Sequence, residues 1–211
     1  MSKTASTRAT TKTAVRWESA RARNRQCILD AAGAVFAEGG FESATMKRIA
    51  EVGGVTKVTI YAHYRGKQCL YDAVMHGHLA SLPSGELDMH GTPNLGDALR
   101  CITDGIGRLA VNPSCQAFCQ SLSRSGHASD GYRERWNAML QPYFTLATQA
   151  FAKASARSTN ADDGEKFVRL VLIEHGLVQG SGAVSESHTT IALFLRAYGL
   201  LLEDAQETVV A

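Results

Sequence analysis

The sequence predicts an all-helical chain with two domains. Apolar residues recur at helical spacing along most of its 211 residues, and no alternating pattern is strong enough to predict a strand. Two short helical patterns meet at the pair Gly53–Gly54, as they do in a helix-turn-helix. Charge is also divided along the chain. Residues 1–67 hold 12 basic and 5 acidic residues, a net charge of +7, whereas the remainder holds 10 and 15, a net charge of −5. A polyanionic partner is therefore expected for the first part alone.

The beginning of the chain is rich in serine, threonine and alanine and carries scattered basic residues. This composition predicts a disordered basic arm over residues 1–17, which either adds contacts to DNA or only increases solubility. A first helix is predicted over about 18–38. Arg21, Arg23 and Arg25 crowd its start, where the helix dipole favours acids, and this conflict indicates a phosphate backbone nearby.

The stretch between residues 45 and 64 has the organisation of a helix-turn-helix. A first short helix is predicted over about Thr45–Val52, and Gly53–Gly54 breaks it, because glycine tolerates the positive φ that a tight turn requires. Thr56 is placed to cap a second helix over about Lys57–Tyr64. The outer side of that helix carries a cation, hydroxyls and a phenol, a combination that suits the major groove of DNA.

This segment, IAEVGGVTKVTIYAHYRGKQCL, resembles the DNA-binding helix-turn-helix of TetR-family regulators, and the strong agreement covers about Arg21–Leu82. The matching positions are Ile49, Ala50, Gly54, Val55, Thr59, Ile60, Tyr61, Tyr64, Lys67 and Leu70. Gly53, Gly66 and Gln68 stand where the family usually has an alanine, a small polar cap and a glutamate. These departures imply weaker packing and capping of the neighbouring helices and an unchanged DNA-reading surface.

The resemblance implies a fold and a function. The expected fold is all-α, with an N-terminal three-helix helix-turn-helix DNA-binding domain within residues 18–82 and a C-terminal helical ligand-binding and dimerisation domain within residues 92–211. The expected function is that of a sequence-specific transcriptional regulator, most often a repressor, acting as a homodimer on a palindromic double-stranded DNA operator. A small organic effector would release it, with no cofactor, no metal, no membrane partner and no enzymatic activity.

Position in the second helix and the resemblance together predict which side chains contact DNA. Lys57, Val58 and Thr59 are expected to face base edges, and Lys47 to reach either bases or phosphates. The residues expected to hold phosphates are Thr45, Tyr61, His63 and Lys67. Tyr61 has an alternative interpretation as a core residue.

The C-terminal part is predicted to be helical throughout, after a loop over residues 83–91. Helices are expected from about 92, from about 112, over 130–157, over 162–179 and over 187–204. The last two are strongly apolar. They either pair with a partner's copies in a four-helix bundle, with Phe194 and Tyr198 at the interface, or bury each other in a monomer.

An aromatic group in the C-terminal part is the candidate effector site. Its members are Phe118, Trp136, Tyr143 and Phe167. The scarcity of ionisable groups around them predicts an uncharged or weakly polar organic effector. Each aromatic residue taken alone also fits simple core packing.

Cys115 and Cys119 lie one helical turn apart, which allows a redox or metal switch in principle. The same helix face carries Phe118 and Leu122, so we expect both thiols to be buried and unreactive, with Cys101 on the preceding helix as a third thiol. An odd number of widely spread cysteines also argues against a disulfide framework.

Sequence motifs give little support to an enzyme. The chain has no G-x-S-x-G elbow, no H-E-x-x-H pair and no G-x-x-x-x-G-K-[ST] loop. The rival interpretation is a helical ligand-binding or thiol-dependent enzyme with a non-functional helix-turn-helix, and salt-sensitive binding to duplex DNA separates the two. A cytoplasmic location is predicted, because the chain has no apolar run of about 18 residues and its start lacks a secretory signal.

Overall fold

The computed structural model describes residues 4–83, 94–154, 162–178 and 188–197, and within these ranges it contains helices and no strand. The all-α prediction is confirmed. The helices are α1 (Thr4–Ser43), α2 (Met46–Val52), α3 (Lys57–His63), α4 (Lys67–Ala80), α5 (Leu95–Ala110), α6 (Pro113–Arg124), α7 (Asp130–Ala154), α8 (Asp163–Glu174) and α9 (His188–Ala197), with a short 3-10 turn at His127–Ser129. None of the described helices is both long enough and apolar enough to cross a membrane.

Helix α1 begins much earlier than the sequence predicts. It starts at Thr4, so most of the segment expected to be a disordered arm is helical. No glycine or proline precedes Gly33, and the alanines and long side chains of this stretch favour continuation of a helix. Among the residues of α1 from Arg16 onward, whose burial the structure describes, Ile28 is the first that is buried.

Helix α1 bends at Gly40, where φ is 76° and ψ is 178°. A Cβ atom at this position would lie 2.1 Å from the carbonyl oxygen of Arg124, so both the backbone conformation and the available space require glycine. Beyond the bend Phe41 packs back as predicted, with its ring centre 6.3 Å from that of Phe36 and 5.2 Å from that of Tyr71.

The first of two compact units comprises the chain up to Ala80 together with Gln120–Ser129. The sequence had assigned the latter segment to the C-terminal domain. Its contacts explain the grouping. The Phe41 N–H donates to Ser125 Oγ at 2.9 Å, the Gly126 N–H donates to the Glu42 carboxylate at 3.2 Å, and the Arg124 guanidinium donates to the carbonyl of Ala37. The end of α6 is thus hydrogen-bonded to the bend of α1.

The second unit contains α5, α7, α8 and α9 and the first part of α6. Helix α5 begins at the cap Asn94 and buries one apolar face, which includes Leu99, Ile102 and Ile106. Phe194 of α9 packs on Phe151 and Phe167, with ring centres 5.6 Å and 5.2 Å away. Phe194 is half-buried, and its role at a dimer interface stays a prediction. Tyr198 lies outside the described residues.

Candidate nucleic-acid interface

The turn between α2 and α3 fits closely against α1. Gly54 has a φ of 60°, as the turn prediction requires. At Gly53 a Cβ atom would meet the Ala31 Cβ at 3.2 Å and the Cys27 carbonyl oxygen at 3.4 Å. An alanine there would force its neighbours apart by a few tenths of an ångström. The turn and helix α1 approach each other closely at this glycine, and the expectation that Gly53 weakens packing stays a prediction.

Threonine hydroxyls fix the starts of both helices of the helix-turn-helix. Thr45 Oγ1 accepts from the N–H of Arg48 at 3.1 Å, and Thr56 Oγ1 accepts from the N–H of Thr59 at 3.1 Å. The predicted cap at Thr56 is confirmed. A hydroxyl that accepts a hydrogen bond retains its own proton, so the exposed Thr45 side chain can still donate to a phosphate.

Helix α3 is anchored on one side and open on the other. Ile60 and Tyr64 are buried, as predicted, whereas Val58 is 79% exposed and Tyr61 is 54% exposed. The exposure of Tyr61 excludes its interpretation as a core residue. Lys57 is also exposed on this short helix. The open side therefore combines an ammonium, an apolar branched side chain and a phenol.

Two further residues of α3 are less available than the sequence suggests. Thr59 is half-buried, and its hydroxyl lies 2.9 Å from the hydroxyl of Thr56. His63 is half-buried beside Tyr64, with ring centres 6.4 Å apart. Any DNA contact by Thr59 must coexist with its hydrogen bond to Thr56.

Exposed basic side chains lie on α2 and just after α3. Lys47 Nζ lies 3.8 Å from the Glu51 carboxylate in an exposed pair, which contributes little and can be exchanged for a phosphate. Arg48 and Arg65 are exposed as well, and neither is among the residues that the sequence analysis nominates.

The side chain of Lys67 is directed to protein carbonyls. Its ammonium donates to the carbonyl oxygens of Phe41 at 2.7 Å, Ala44 at 3.0 Å and Glu42 at 3.2 Å. An ammonium has three N–H donors, so these bonds use all of them. The prediction that this side chain holds a phosphate does not fit the geometry. Lys67 instead fastens the start of α4 to the segment that follows the bend of α1.

Comparison with known proteins identifies the family. The model of the bacterial regulatory proteins of the tetR family matches residues 28–74, from the first buried residue of α1 into α4. The transcriptional activator FasR of Mycolicibacterium smegmatis is 32% identical over 164 residues, which cover 75% of this chain and 68% of FasR. This chain belongs to the tetR family. It is therefore a helix-turn-helix transcriptional regulator, as the resemblance implied.

This TetR-family regulator resembles solved structures along most of its chain. The MexZ repressor of Pseudomonas aeruginosa aligns with a TM-score of 0.59 at 18% identity, over 89% of this chain and 98% of MexZ. AibR in complex with isovaleryl coenzyme A and operator DNA aligns with a TM-score of 0.54 at 18% identity, over 82% of this chain and 97% of AibR. At this identity the likeness shows the fold, an N-terminal helix-turn-helix followed by a helical domain.

The structure brings together only part of the predicted effector site of this TetR-family regulator. Phe118 and Trp136 are buried with ring centres 5.8 Å apart. Phe167 lies in a different ring cluster, 6.2 Å from Phe151. Tyr143 is buried too, and burial raises the pKa of its phenol. Arg108 opposes that rise, while Cys101 and Cys115 add to it.

The cysteines of the second unit have the environment of packed thiols. Cys115 is fully buried and Cys119 is half-buried. The hydrogen bond to Cys115 raises the pKa of the Cys119 thiol above its usual range, and burial and the charge of Cys115 raise it further. A thiol with a raised pKa is a poor nucleophile. Within the described ranges, no group of three or more histidines, cysteines or carboxylates is arranged to hold a metal ion.

Proposed function

We propose that this TetR-family regulator is a homodimeric repressor whose α3 helices lie in successive major grooves of a palindromic operator. The observation that carries the proposal is the open side of α3. Val58 and Tyr61 are exposed on a helix whose other side is fixed by Ile60 and Tyr64. An apolar and aromatic surface surrounded by basic side chains suits base edges, including the thymine methyl group, and the phosphates beside them.

The proposed DNA contacts follow from exposure and hydrogen bonding. Lys57, Val58 and Thr59 face base edges. Thr45, Tyr61 and His63 hold phosphates, and Lys47 reaches either. Arg48 and Arg65 are added to the phosphate contacts because both are exposed beside the helix-turn-helix. Lys67 is removed from them because its ammonium is already bonded to three carbonyls.

Dimerisation through α8 and α9 is supported by large apolar side chains that remain exposed on these helices. Leu193 of α9 is 59% exposed, and Ile173 and Leu170 of α8 are 41% and 39% exposed. Pairing α8 and α9 with a partner's copies under two-fold symmetry would cover these side chains in a four-helix bundle. It would also hold two α3 helices at a fixed separation, about 34–36 Å for successive major grooves.

We place the effector in the second unit, beside Phe118, Trp136 and Tyr143, and expect an uncharged or weakly polar organic molecule. The fold relative AibR was solved with isovaleryl coenzyme A and operator DNA, which supports control by a small molecule in this fold. MexZ is named a repressor and FasR an activator. Whether this regulator lowers or raises promoter activity is therefore to be measured. A promoter carrying the operator is expected to be less active when the regulator is present.

Selection of duplex DNA from a random pool tests this function. An inverted repeat should emerge, and affinity for it should fall steeply as salt rises. The Val58→Ala variant should change the selected sequence. Absence of any sequence preference at low salt would contradict the proposal and revive the enzyme interpretation.

A further inference from the structure

The N-terminal part of α1, Thr4–Gln26, runs past the helix-turn-helix, and we call it the α1 extension. The α2–α3 turn meets α1 at Cys27 and Ala31, through the backbone of Gly53. From residue 16 to residue 27 no side chain of α1 is buried. At 1.5 Å per residue, the extension is a helix about 35 Å long, and its end at Gln26 precedes the contact of α1 with the α2–α3 turn.

The α1 extension is strongly basic. Its single acidic residue is Glu18, and its basic residues are Arg8, Lys12, Arg16, Arg21, Arg23 and Arg25. The arginines from position 16 onward are exposed. Positions 16 and 23 are separated by two helical turns, so Arg16 and Arg23 share one face of the helix.

Three features make this helix unfavourable on its own. Arg21 and Arg25 lie four residues apart, a spacing at which like charges destabilise a helix. A helix without tertiary packing is marginal in water. Trp17, a large aromatic side chain, is 72% exposed. A polyanion lying along the helix would remove all three costs, because it neutralises the charge, stabilises the helix and covers the indole.

We infer that the α1 extension is a second DNA-binding element, which follows the phosphates of the duplex that flanks the operator and covers Trp17 against it. The inference rests on the proposed binding of DNA by α3. A helix of about 35 Å spans about ten base pairs at 3.4 Å each, so the extension reaches one further turn of the double helix. Contacts to phosphates add affinity and salt sensitivity without changing sequence preference.

The first test compares two duplexes that carry the selected operator, using the full chain. One is trimmed to the operator, and the other has about fifteen further base pairs on each side, enough to accommodate a helix of about 35 Å. The longer duplex should bind more tightly and with a steeper dependence on salt. The variant Arg16→Ala/Arg21→Ala/Arg23→Ala should remove this difference, because alanine keeps the helix but not the charge.

The size of the effect follows from counterion release. Each lost phosphate contact lowers the salt slope by about 0.9, so losing two or three contacts per chain should reduce the affinity change between 50 and 200 mM salt by about 10- to 40-fold per protomer. For both protomers of the dimer together the reduction is about 150- to 1,800-fold. The matched control is Arg16→Lys/Arg21→Lys/Arg23→Lys, which retains the charges and should retain the slope on the longer duplex.

Tryptophan fluorescence supplies an independent readout. The chain has two tryptophans, and Trp136 is only 6% exposed, so acrylamide should quench mainly Trp17. The longer duplex should protect Trp17 from acrylamide, and the trimmed duplex should not. Equal affinity and equal quenching with both duplexes would overturn the inference and leave α3 binding intact. Protection that grows with protein concentration without DNA would also overturn it, by showing that the extension pairs with a second copy. Equal binding to a scrambled duplex would instead contradict the proposed function.

Discussion

The ammonium nitrogen of Lys67 lies 2.7 Å from the carbonyl oxygen of Phe41 and 4.4 Å from the centre of its ring. The backbone N–H of Phe41 donates to Ser125 Oγ at 2.9 Å. Phe41, the residue that follows the α1 bend, is thus bonded both to the end of α6 and to the start of α4. Phe41 therefore connects the end of α6 with the start of α4, which follows α3 after three residues.

Replacing Lys67 should affect stability more than electrostatics. Lys67→Ala leaves three carbonyls without their donor, so we expect a loss of about 1–3 kcal/mol in the free energy of unfolding. The salt slope of operator binding should stay close to that of the wild type, since the ammonium holds no phosphate. Urea unfolding and binding at several salt concentrations measure the two quantities. A slope lowered by about one with unchanged stability would restore the phosphate role.

Replacing Val58 should affect sequence preference and leave stability nearly unchanged. Val58 is 79% exposed, so Val58→Ala removes little packing, but it takes away an apolar contact proposed to meet a base edge. Competition between operator variants should change by about 1 kcal/mol at one base pair of each half-site. Val111→Ala is a matched control, because Val111 is 76% exposed at the end of α5. Both variants should unfold at the temperature of the wild type.

Charges on the exposed faces of α8 and α9 should separate the dimer. Leu170→Glu/Leu193→Glu is expected to give a folded monomer with weak operator affinity, because both side chains are exposed in the single chain. Light scattering gives the mass, and circular dichroism checks the helices. Phe194→Glu is the contrasting variant and should unfold the second unit, because its ring packs on Phe151 and Phe167. A wild-type monomer at micromolar concentration would contradict the assembly.

The Cys119 thiol should make stability depend on alkaline pH. Its pKa is raised in the folded chain, so the unfolded chain loses this proton first as pH rises. The stabilisation is complete below the unfolded thiol pKa of about 8.5 and declines above it. Cys119→Ala should flatten the decline between about pH 8 and pH 10 in urea unfolding. An identical pH profile in the variant would show that Cys119 does not contribute.

Thiol labelling should follow exposure. Cys27 and Cys69 are exposed and should react quickly with a thiol reagent at neutral pH, whereas Cys115 and Cys119 should react slowly until the chain unfolds. In a Cys27→Ser/Cys69→Ser background, mild oxidant should therefore leave operator binding unchanged. Oxidant-induced release that a Cys115→Ser/Cys119→Ser variant abolishes would make this pair a sensor.

Local chemistry allowed much of the helix-turn-helix to be predicted from sequence. The cap at Thr56, the positive φ at Gly54 and the burial of Ile60 each depend on neighbours within a few residues. The role of Lys67 could not be predicted in this way, because its three acceptors lie 23 to 26 residues earlier. Phe194 illustrates the same limit, since an apolar helix face does not reveal whether its partner is its own chain or another copy.

The contact between Gly40 and Arg124 also restricts how this gene can vary. Every single-base change of a glycine codon that alters the residue introduces a larger side chain. At Gly40 the first added carbon would lie 2.1 Å from a backbone oxygen, and the residue would have to keep a φ of 76°. No shift of a flexible side chain can make room, because the opposing atom is main chain. Missense variants at this codon should therefore lose regulation of the target promoter. Gly66 and Gly77 face open space and should tolerate alanine.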